Sequence, residues 1–409
     1  MSPANFSETA PSFLEKLACT KCSYITEPTR PRTICPRCGG IFFAQYDLEK
    51  VKNSLQNDKA LQRSYNIWRY PEVMPVVDPS FRFTLGEGWT PLIPLSKNSG
   101  FKHILIKDEG QNPTGTFKAR GLASAISKGC ELGVSVYTIP TAGNAGAALA
   151  AYTACSGTEA HIFMPKTTPH FIQNVAKYLG GSVNLVEGLI DEAGVAVQSA
   201  VNQFGWFNIA TFREPYRVEG KKTMGMEILE QLEWNVPDTI IYPVGGGTGI
   251  VGIWKAIKEF RELGYIENYP RMVAVQVKGC APIVKAFERG NPTSEYWKDP
   301  KTIIPGLRVP KAFADYLVLS VLYESNGTAI AINDASALTA MKTLAKEEGI
   351  FLSPEGAATF AALEELLQRD FLDKSETIVC LGTGSGFIYP DIWNIIMNHN
   401  KNHAVNSRS

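Results

Sequence analysis

The chain has 409 residues, long enough for two or three domains with sizeable cores. Hydrophobic residues make up 44% and charged residues 20%, the balance of an ordinary soluble globular protein. Lysine plus arginine number 40 and aspartate plus glutamate 40, so there is no net basic field to hold nucleic acid or an anionic membrane.

The first residues, MSPANFSETAPSFLEKLACTKC, lack an apolar core of signal-peptide length. No apolar run in the sequence reaches membrane-spanning length. The expectation is a cytoplasmic protein without a membrane or nucleic-acid partner. The eight cysteines fit that compartment. Four form two close pairs in CTKCSYITEPTRPRTICPRCGG: Cys19 and Cys22, then twelve residues on, Cys35 and Cys38. Two such knuckles at this separation can supply four thiolates to one tetrahedral zinc, and the glycines after Cys38 permit the tight turn a knuckle needs. The alternative is four reduced, unligated thiols. A four-thiolate zinc is structural, because it leaves no open coordination position.

After the ribbon, YDLEKVKNSLQNDKALQRSYNIWRYPEVMPV reads as a helix and then an irregular arm. From Phe81 onward, short β-branched runs alternate with helical stretches. Strands are expected within HILIKDEG, VSVYTIP, EAHIFMPK, SVNLVEG, TIIYPV, RMVAVQVKG and ETIVCLGTGSG. Strands that alternate with helices imply an α/β protein with parallel sheets covered by helices on both faces.

The chemistry sits where strands give way to helices. In NPTGTFKARG, Lys118 follows a Pro-Thr-Gly-Thr turn and opens a small-residue helix, KARGLASAISKG. An exposed helical lysine needs no such turn; a lysine that presents its amine at a cleft does. TAGNAG places Asn144 between a strand and an Ala-rich helix, where its amide can meet a ligand oxygen or act as a turn or cap residue. GGGTG, comprising Gly245, Gly246, Gly247, Thr248 and Gly249, can point several backbone N–H groups at one phosphate beside a helix start. It matches neither the dinucleotide fingerprint nor the Walker A pattern, so a single small phosphate suits it better. GTGSG ends a late strand and carries the hydroxyls of Thr383 and Ser385. A lysine amine for a carbonyl, a phosphate cradle, an amide and a hydroxyl are together the binding needs of pyridoxal 5′-phosphate.

In LGEGWTPL, NPTGTFKARG, TAGNAG, EPYRVEGKKT, PVGGGTG and GTGSG, in that order, the sequence resembles pyridoxal-phosphate enzymes of the tryptophan-synthase-β type (fold type II), and among them threonine synthases. The resemblance covers nearly the whole chain after the ribbon. It implies two doubly wound parallel-sheet domains with the cofactor in the cleft between them, plus the N-terminal zinc-ribbon-like segment. The corresponding division is a ribbon at 1–48, a larger cofactor-binding domain at 49–118 and 215–395, a smaller mobile domain at 119–214, and a polar tail at 396–409.

By this resemblance Lys118 is the Schiff-base lysine, Asn144 contacts the cofactor's 3′ oxygen, Gly245 to Gly249 bind its phosphate, and Thr383 faces its pyridine nitrogen. The implied reaction converts O-phosphohomoserine and water to threonine and phosphate, and the resemblance implies a homodimer acting on a small amino-acid substrate. Several positions depart from the threonine-synthase pattern: Ala119 replaces an aspartate after the lysine, Ala142 and Ala145 replace two hydroxyl residues around Asn144, and SPEGAA at Ser353 to Ala358 resembles serine and threonine dehydratases. A threonine or serine ammonia-lyase and a β-replacement synthase, with the same cofactor and lysine, are the alternatives. Arg120, Lys221 and Lys222 are the cations that could compensate for the missing hydroxyls at a substrate phosphate.

Overall fold

The computed structural model describes residues 10–56, 63–96, 101–393 and 395. The expected polar tail at 396–409 lies outside them. In chain order the elements begin with β1 (Leu14–Cys19), β2 (Ile25–Thr26), β3 (Phe42–Tyr46) and α1 (Leu48–Gln56). After an arm of short 3-10 turns come β4 (Leu92–Pro94), β5 (His103–Asp108), α2 (Lys118–Glu131), β6 (Val136–Pro140), α3 (Asn144–Ser156) and β7 (Glu159–Pro165). They continue with α4 (His170–Tyr178), β8 (Ser182–Val186), α5 (Ile190–Phe204), β9 (Phe207–Asn208), α6 (Tyr216–Gln231), β10 (Thr239–Pro243) and α7 (Thr248–Glu262). The last are β11 (Arg271–Val277), α8 (Pro282–Glu288), α9 (Asp315–Glu324), β12 (Thr328–Ile332), α10 (Asp334–Thr343), α11 (Pro354–Gln368) and β13 (Thr377–Gly382).

The described residues form two compact units. One draws on Met1–Thr90, Asn112–Val236 and Gly247–Tyr269; the other on Pro91–Gln111, Pro237–Gly246 and Pro270–Ser409.

The first unit holds two sheets. A small antiparallel sheet, β2-β1-β3, carries the cysteine ribbon. A parallel sheet, β8-β7-β6-β9, is built from strands separated by helices, as the alternation in the sequence requires. α3 is Ala-rich and buried along most of its length, because small side chains let a helix be enclosed on every face. α6 packs against both α2 and α7. The approach is close enough that a Cβ on Gly220 would stand 2.0 Å from the Arg120 carbonyl oxygen. The ribbon is tied to this group of helices: the Tyr46 hydroxyl of β3 donates to Glu219 Oε2 of α6 at 2.9 Å. Lys222 and Lys255 reach the same carboxylate at 2.8 and 2.9 Å.

The second unit is a six-stranded sheet in the order β12-β11-β10-β13-β5-β4. Every pairing is parallel except the edge pair β4–β5. β10 and β11 are nearly continuous apolar runs and are buried, the pattern of central parallel strands covered on both faces. Ile106, Ile241, Val273, Val275, Ile330 and Ile378 form one core with Ala358, Ala362 and Leu366 of α11.

Candidate active site

The loop before α2 folds as its sequence dictates. The Gly115 N–H donates to the Asn112 carbonyl at 2.7 Å, closing a turn with Pro113 in its second position and Gly115, at φ +69°, in its fourth. The Thr116 hydroxyl accepts from the Lys118 N–H at 3.2 Å, and α2 starts at Lys118. LGEGWTPL braces this loop: the Gly88 N–H donates to Asn112 Oδ1 at 3.1 Å. Within that motif Glu87 is buried and accepts from the Tyr152 hydroxyl at 2.7 Å and the Leu85 N–H at 2.8 Å. Burial pushes its carboxyl above the ordinary carboxylate range, against the lowering effect of those donors. Lys118 is half-buried, with Nζ 3.8 Å from the centroid of the Phe117 ring.

Asn144 is the first residue of α3. The cap position belongs to Gly143, at φ +138°, so Asn144 is not the helix cap and stands half-buried at the positive end of the helix. Gly143 in turn donates to Thr141 Oγ1 at 3.0 Å.

GGGTG joins β10 to α7. Gly247 caps α7 at φ +82°, a conformation that favours glycine, and the first turn of α7 carries no acidic residue. The first N–H groups of α7 have no partner within the helix by geometry, so this end is suited to an anion. Gly245 lies against the Gly306 backbone; a Cβ there would fall 2.2 Å from the Gly306 carbonyl oxygen. The Gly306 N–H donates to Glu355 Oε1 at 2.8 Å, so Glu355 of SPEGAA braces the segment that backs the glycine turn. That bracing role is not visible in the sequence.

Thr383 follows β13 and is buried. Its backbone is approached by Gly356 of α11, where a Cβ would stand 3.0 Å from the Thr383 nitrogen. Ser385 caps a short 3-10 turn, accepting from the Phe387 N–H at 3.2 Å, which gives its hydroxyl a structural use.

The cations expected near a substrate have protein partners within the first unit. Arg120 is fully buried, with Nη2 2.7 Å from Glu227 Oε2 and Nη1 2.8 Å from Thr223 Oγ1. Lys222 binds Glu219 and Glu259, each at 2.8 Å, and the Val73 carbonyl at 2.6 Å. Lys221 is fully buried and donates to the Phe117 carbonyl. These partners account for Arg120 and Lys222 as parts of the packed interior.

The donor set fits pyridoxal phosphate. The first unit by itself provides a half-buried amine and two helix starts without acidic residues in their first turn. Thr114 Oγ1, in the loop just before Lys118, is buried without a hydrogen-bond partner among the described residues.

At the ribbon, the sulfur atoms of Cys19, Cys22, Cys35 and Cys38 all lie within 4.8 Å of one another. Cys19–Cys38 and Cys22–Cys38 are separated by 3.5 Å and Cys22–Cys35 by 3.7 Å. A tetrahedral zinc with sulfur at about 2.3 Å sets its sulfurs about 3.8 Å apart. Gly39 turns at φ +67°, and a Cβ on Gly40 would stand 2.9 Å from Cys19 Sγ, so both glycines are required as the sequence indicated. Burial raises the Cys35 thiol, but the backbone N–H groups of Arg37 and Cys38 and the neighbouring thiols bring it down to about 7. Cys38 is pushed up to about 12: the Gly40 N–H lowers it, while desolvation and the other three thiols outweigh that effect. One thiolate forms easily and another with difficulty, as four sulfurs this close demand; a cation lets them ionise together.

Residues 83–384 match the family model described as "Pyridoxal-phosphate dependent enzyme". A threonine synthase of Methanocaldococcus jannaschii is 37% identical over 91% of this chain and 93% of its own length. A threonine synthase of Methanosarcina acetivorans is 34% identical over 90% of this chain and 91% of its own length. Among solved structures, maize serine racemase is similar in fold, with a TM-score of 0.66 and 24% identity over 77% of this chain and 93% of that one. Among the described residues, no helix is long and apolar enough to cross a membrane.

Proposed function

The chain belongs to the pyridoxal-phosphate dependent enzyme family, and on that premise we propose that it is a threonine synthase, converting O-phosphohomoserine and water to threonine and phosphate. The observation that carries this reading is the 37% identity to a threonine synthase across 91% of the chain. When bound, pyridoxal phosphate supplies an electron sink that stabilises negative charge on substrate carbons. Lys118 would hold the cofactor through its amine, and the same amine would serve as base and acid toward substrate carbons. Asn144 offers its amide to the cofactor's phenolic oxygen. Gly245, Gly246, Gly247, Thr248 and Gly249 offer backbone N–H groups to its phosphate. Thr383 meets the ring nitrogen with a hydroxyl, which leaves that nitrogen without the charged partner an aspartate would give it. The four ribbon thiols hold one structural zinc.

A second reading, a serine or threonine ammonia-lyase, is favoured by one observation. Ala142 and Ala145 offer no hydroxyls, and Arg120 and Lys222 are tied to Glu227, Glu219 and Glu259. A phosphate dianion needs several charge-assisted donors, each worth about 1.5–3 kcal/mol.

The test is a pair of incubations of pure enzyme. O-phosphohomoserine should yield equal amounts of phosphate and threonine, and threonine alone should yield little keto acid. Rapid 2-oxobutanoate release from threonine, with no phosphate from O-phosphohomoserine, would replace the synthase by the ammonia-lyase.

A further inference from the structure

The head of α11 touches two turns of the second unit at once. On one side, Glu355 Oε1 accepts from the Gly306 N–H at 2.8 Å. Gly306 in turn lies against Gly245, where a Cβ would stand 2.2 Å from the Gly306 carbonyl oxygen and 3.2 Å from Val309 Cγ2. On the other side, a Cβ on Gly356 would stand 3.0 Å from both Gly382 Cα and the Thr383 nitrogen. The Ser353 N–H donates to the Gly384 carbonyl at 2.7 Å, and Leu352 bridges to Ser385.

A glutamate in the first turn of a helix ordinarily answers the helix dipole from the solvent side. Glu355 stands in the first turn of α11, yet it is 6% exposed and turned onto the Gly306 backbone. Its Oε2 is buried with no hydrogen-bond partner among the described residues. A buried carboxylate with so few donors costs stability, so packing alone does not account for it. The segment it holds is fixed on both flanks: Ile304 and Leu307 are buried in one core with Ala358 and Ala362 of α11. A Cβ on Gly306 would stand 2.6 Å from Glu355 Oε1 and 2.8 Å from its Cγ, so only glycine admits the carboxylate there.

We infer that Glu355 is a positioning residue for the cofactor. Through Gly306 it sets Gly245 at the phosphate end, while the next residue, Gly356, sets Thr383 at the ring-nitrogen end, so the head of α11 fixes the separation of the two contacts. The inference rests on the reading that Gly245 to Gly249 receive the cofactor's phosphate and Thr383 its ring nitrogen. Gly245, Gly306, Glu355, Gly356 and Thr383 all belong to the second unit. Two contacts already held at the right spacing bind a rigid ligand more tightly than two that must be ordered on binding. Glu355 acts through the Gly306 backbone and not by touching the phosphate, which a carboxylate would repel.

The test measures two ligands on the full-length apoprotein by equilibrium dialysis: pyridoxal phosphate, and pyridoxal, which keeps the ring nitrogen but lacks the phosphate. Glu355→Ala should weaken pyridoxal phosphate at least about tenfold and leave pyridoxal within about twofold of wild type. Glu355→Gln keeps an acceptor for the Gly306 N–H and should bind both ligands as wild type. Gly306→Ala drives the carboxylate off without removing it, and it decides the matter if Glu355→Ala fails to fold. It should reproduce the loss, and the double variant should be no weaker than the worse single one, because both act on one contact. Equal loss of both ligands, or wild-type affinity for pyridoxal phosphate in folded Glu355→Ala or Gly306→Ala, would overturn the inference. So would additive losses in the double variant, or a Glu355→Gln variant that binds no better than Glu355→Ala. Failure of the underlying reading looks different: Gly245→Ala, which distorts the turn itself, would then bind pyridoxal phosphate as wild type.

Discussion

Arg120 and Glu227 form a bidentate pair in the interior of the first unit, with Nη2 to Oε2 at 2.7 Å and Nη1 to Oε1 at 2.5 Å. Arg120 stands two residues after Lys118, yet its guanidinium joins α2 to α6 and is 0% exposed. Removing one partner of such a pair leaves a buried charge uncompensated. Glu227→Ala should therefore cost about 3–5 kcal/mol in chemical denaturation. A cost below about 1 kcal/mol would show that the pair is not holding α2 in place.

The glycine turn permits a sharper test. Gly245→Ala puts a Cβ 2.2 Å from the Gly306 carbonyl oxygen, so backbone must move. Cofactor affinity, read by titrating apoprotein with pyridoxal phosphate, should fall at least about tenfold, or roughly 1.4 kcal/mol. Gly194→Ala, where a Cβ meets nothing within 4 Å, is the control and should bind as wild type. Equal affinity in both variants would remove the turn from the cofactor site.

Metal analysis of reduced, purified protein should find one zinc per chain. Cys35→Ser should lower zinc content and thermal stability, while the remaining folded enzyme keeps its turnover at low temperature, because four thiolates leave no coordination position for substrate. Zinc well below one per chain, or loss of turnover in protein that stays folded, would contradict a structural metal.

Stability should fall with rising pH through a window set by Glu214. Burial raises its carboxyl from 4.5 to about 7, although the Arg217 charge and the N–H groups of Tyr216 and Arg217 lower it. The folded state therefore keeps a proton that the unfolded chain releases. Its contribution is complete below about pH 4.5 and is lost as pH rises through about 7. The full change corresponds to about 3 kcal/mol. Glu214→Gln should flatten the stability profile between pH 5 and 7 on the order of that amount, measured by denaturant titration. An unchanged slope would mean that Glu214 titrates near its ordinary value.

Much of this architecture is legible in the sequence, for identifiable reasons. TIIYP, the glycines and TGIVGIWKAIKEF each carry a local signal, so β10, the turn and α7 can be read in order. β12, Thr328–Ile332, carries little: two of its five residues are alanines, weak strand formers, and its place comes from parallel pairing with β11. β4 is three residues long, ends in Pro94 and pairs antiparallel at an edge. The site shows the same divide. Lys118 and Gly245 to Gly249 are marked by their own turns. The roles of Arg120, Lys221 and Lys222 depend on partners distant in sequence, such as Phe117 for Lys221, and no local pattern separates a lysine beside an anion from one buried against a carbonyl.

The central claim is that Lys118 carries the cofactor. Borohydride reduction of the purified holoenzyme, followed by peptide mapping, tests it most directly. A pyridoxyl group should be found on Lys118, and Lys118→Ala should lose both the covalent label and nearly all turnover. A pyridoxyl group on another lysine, Lys221 above all, would contradict the account.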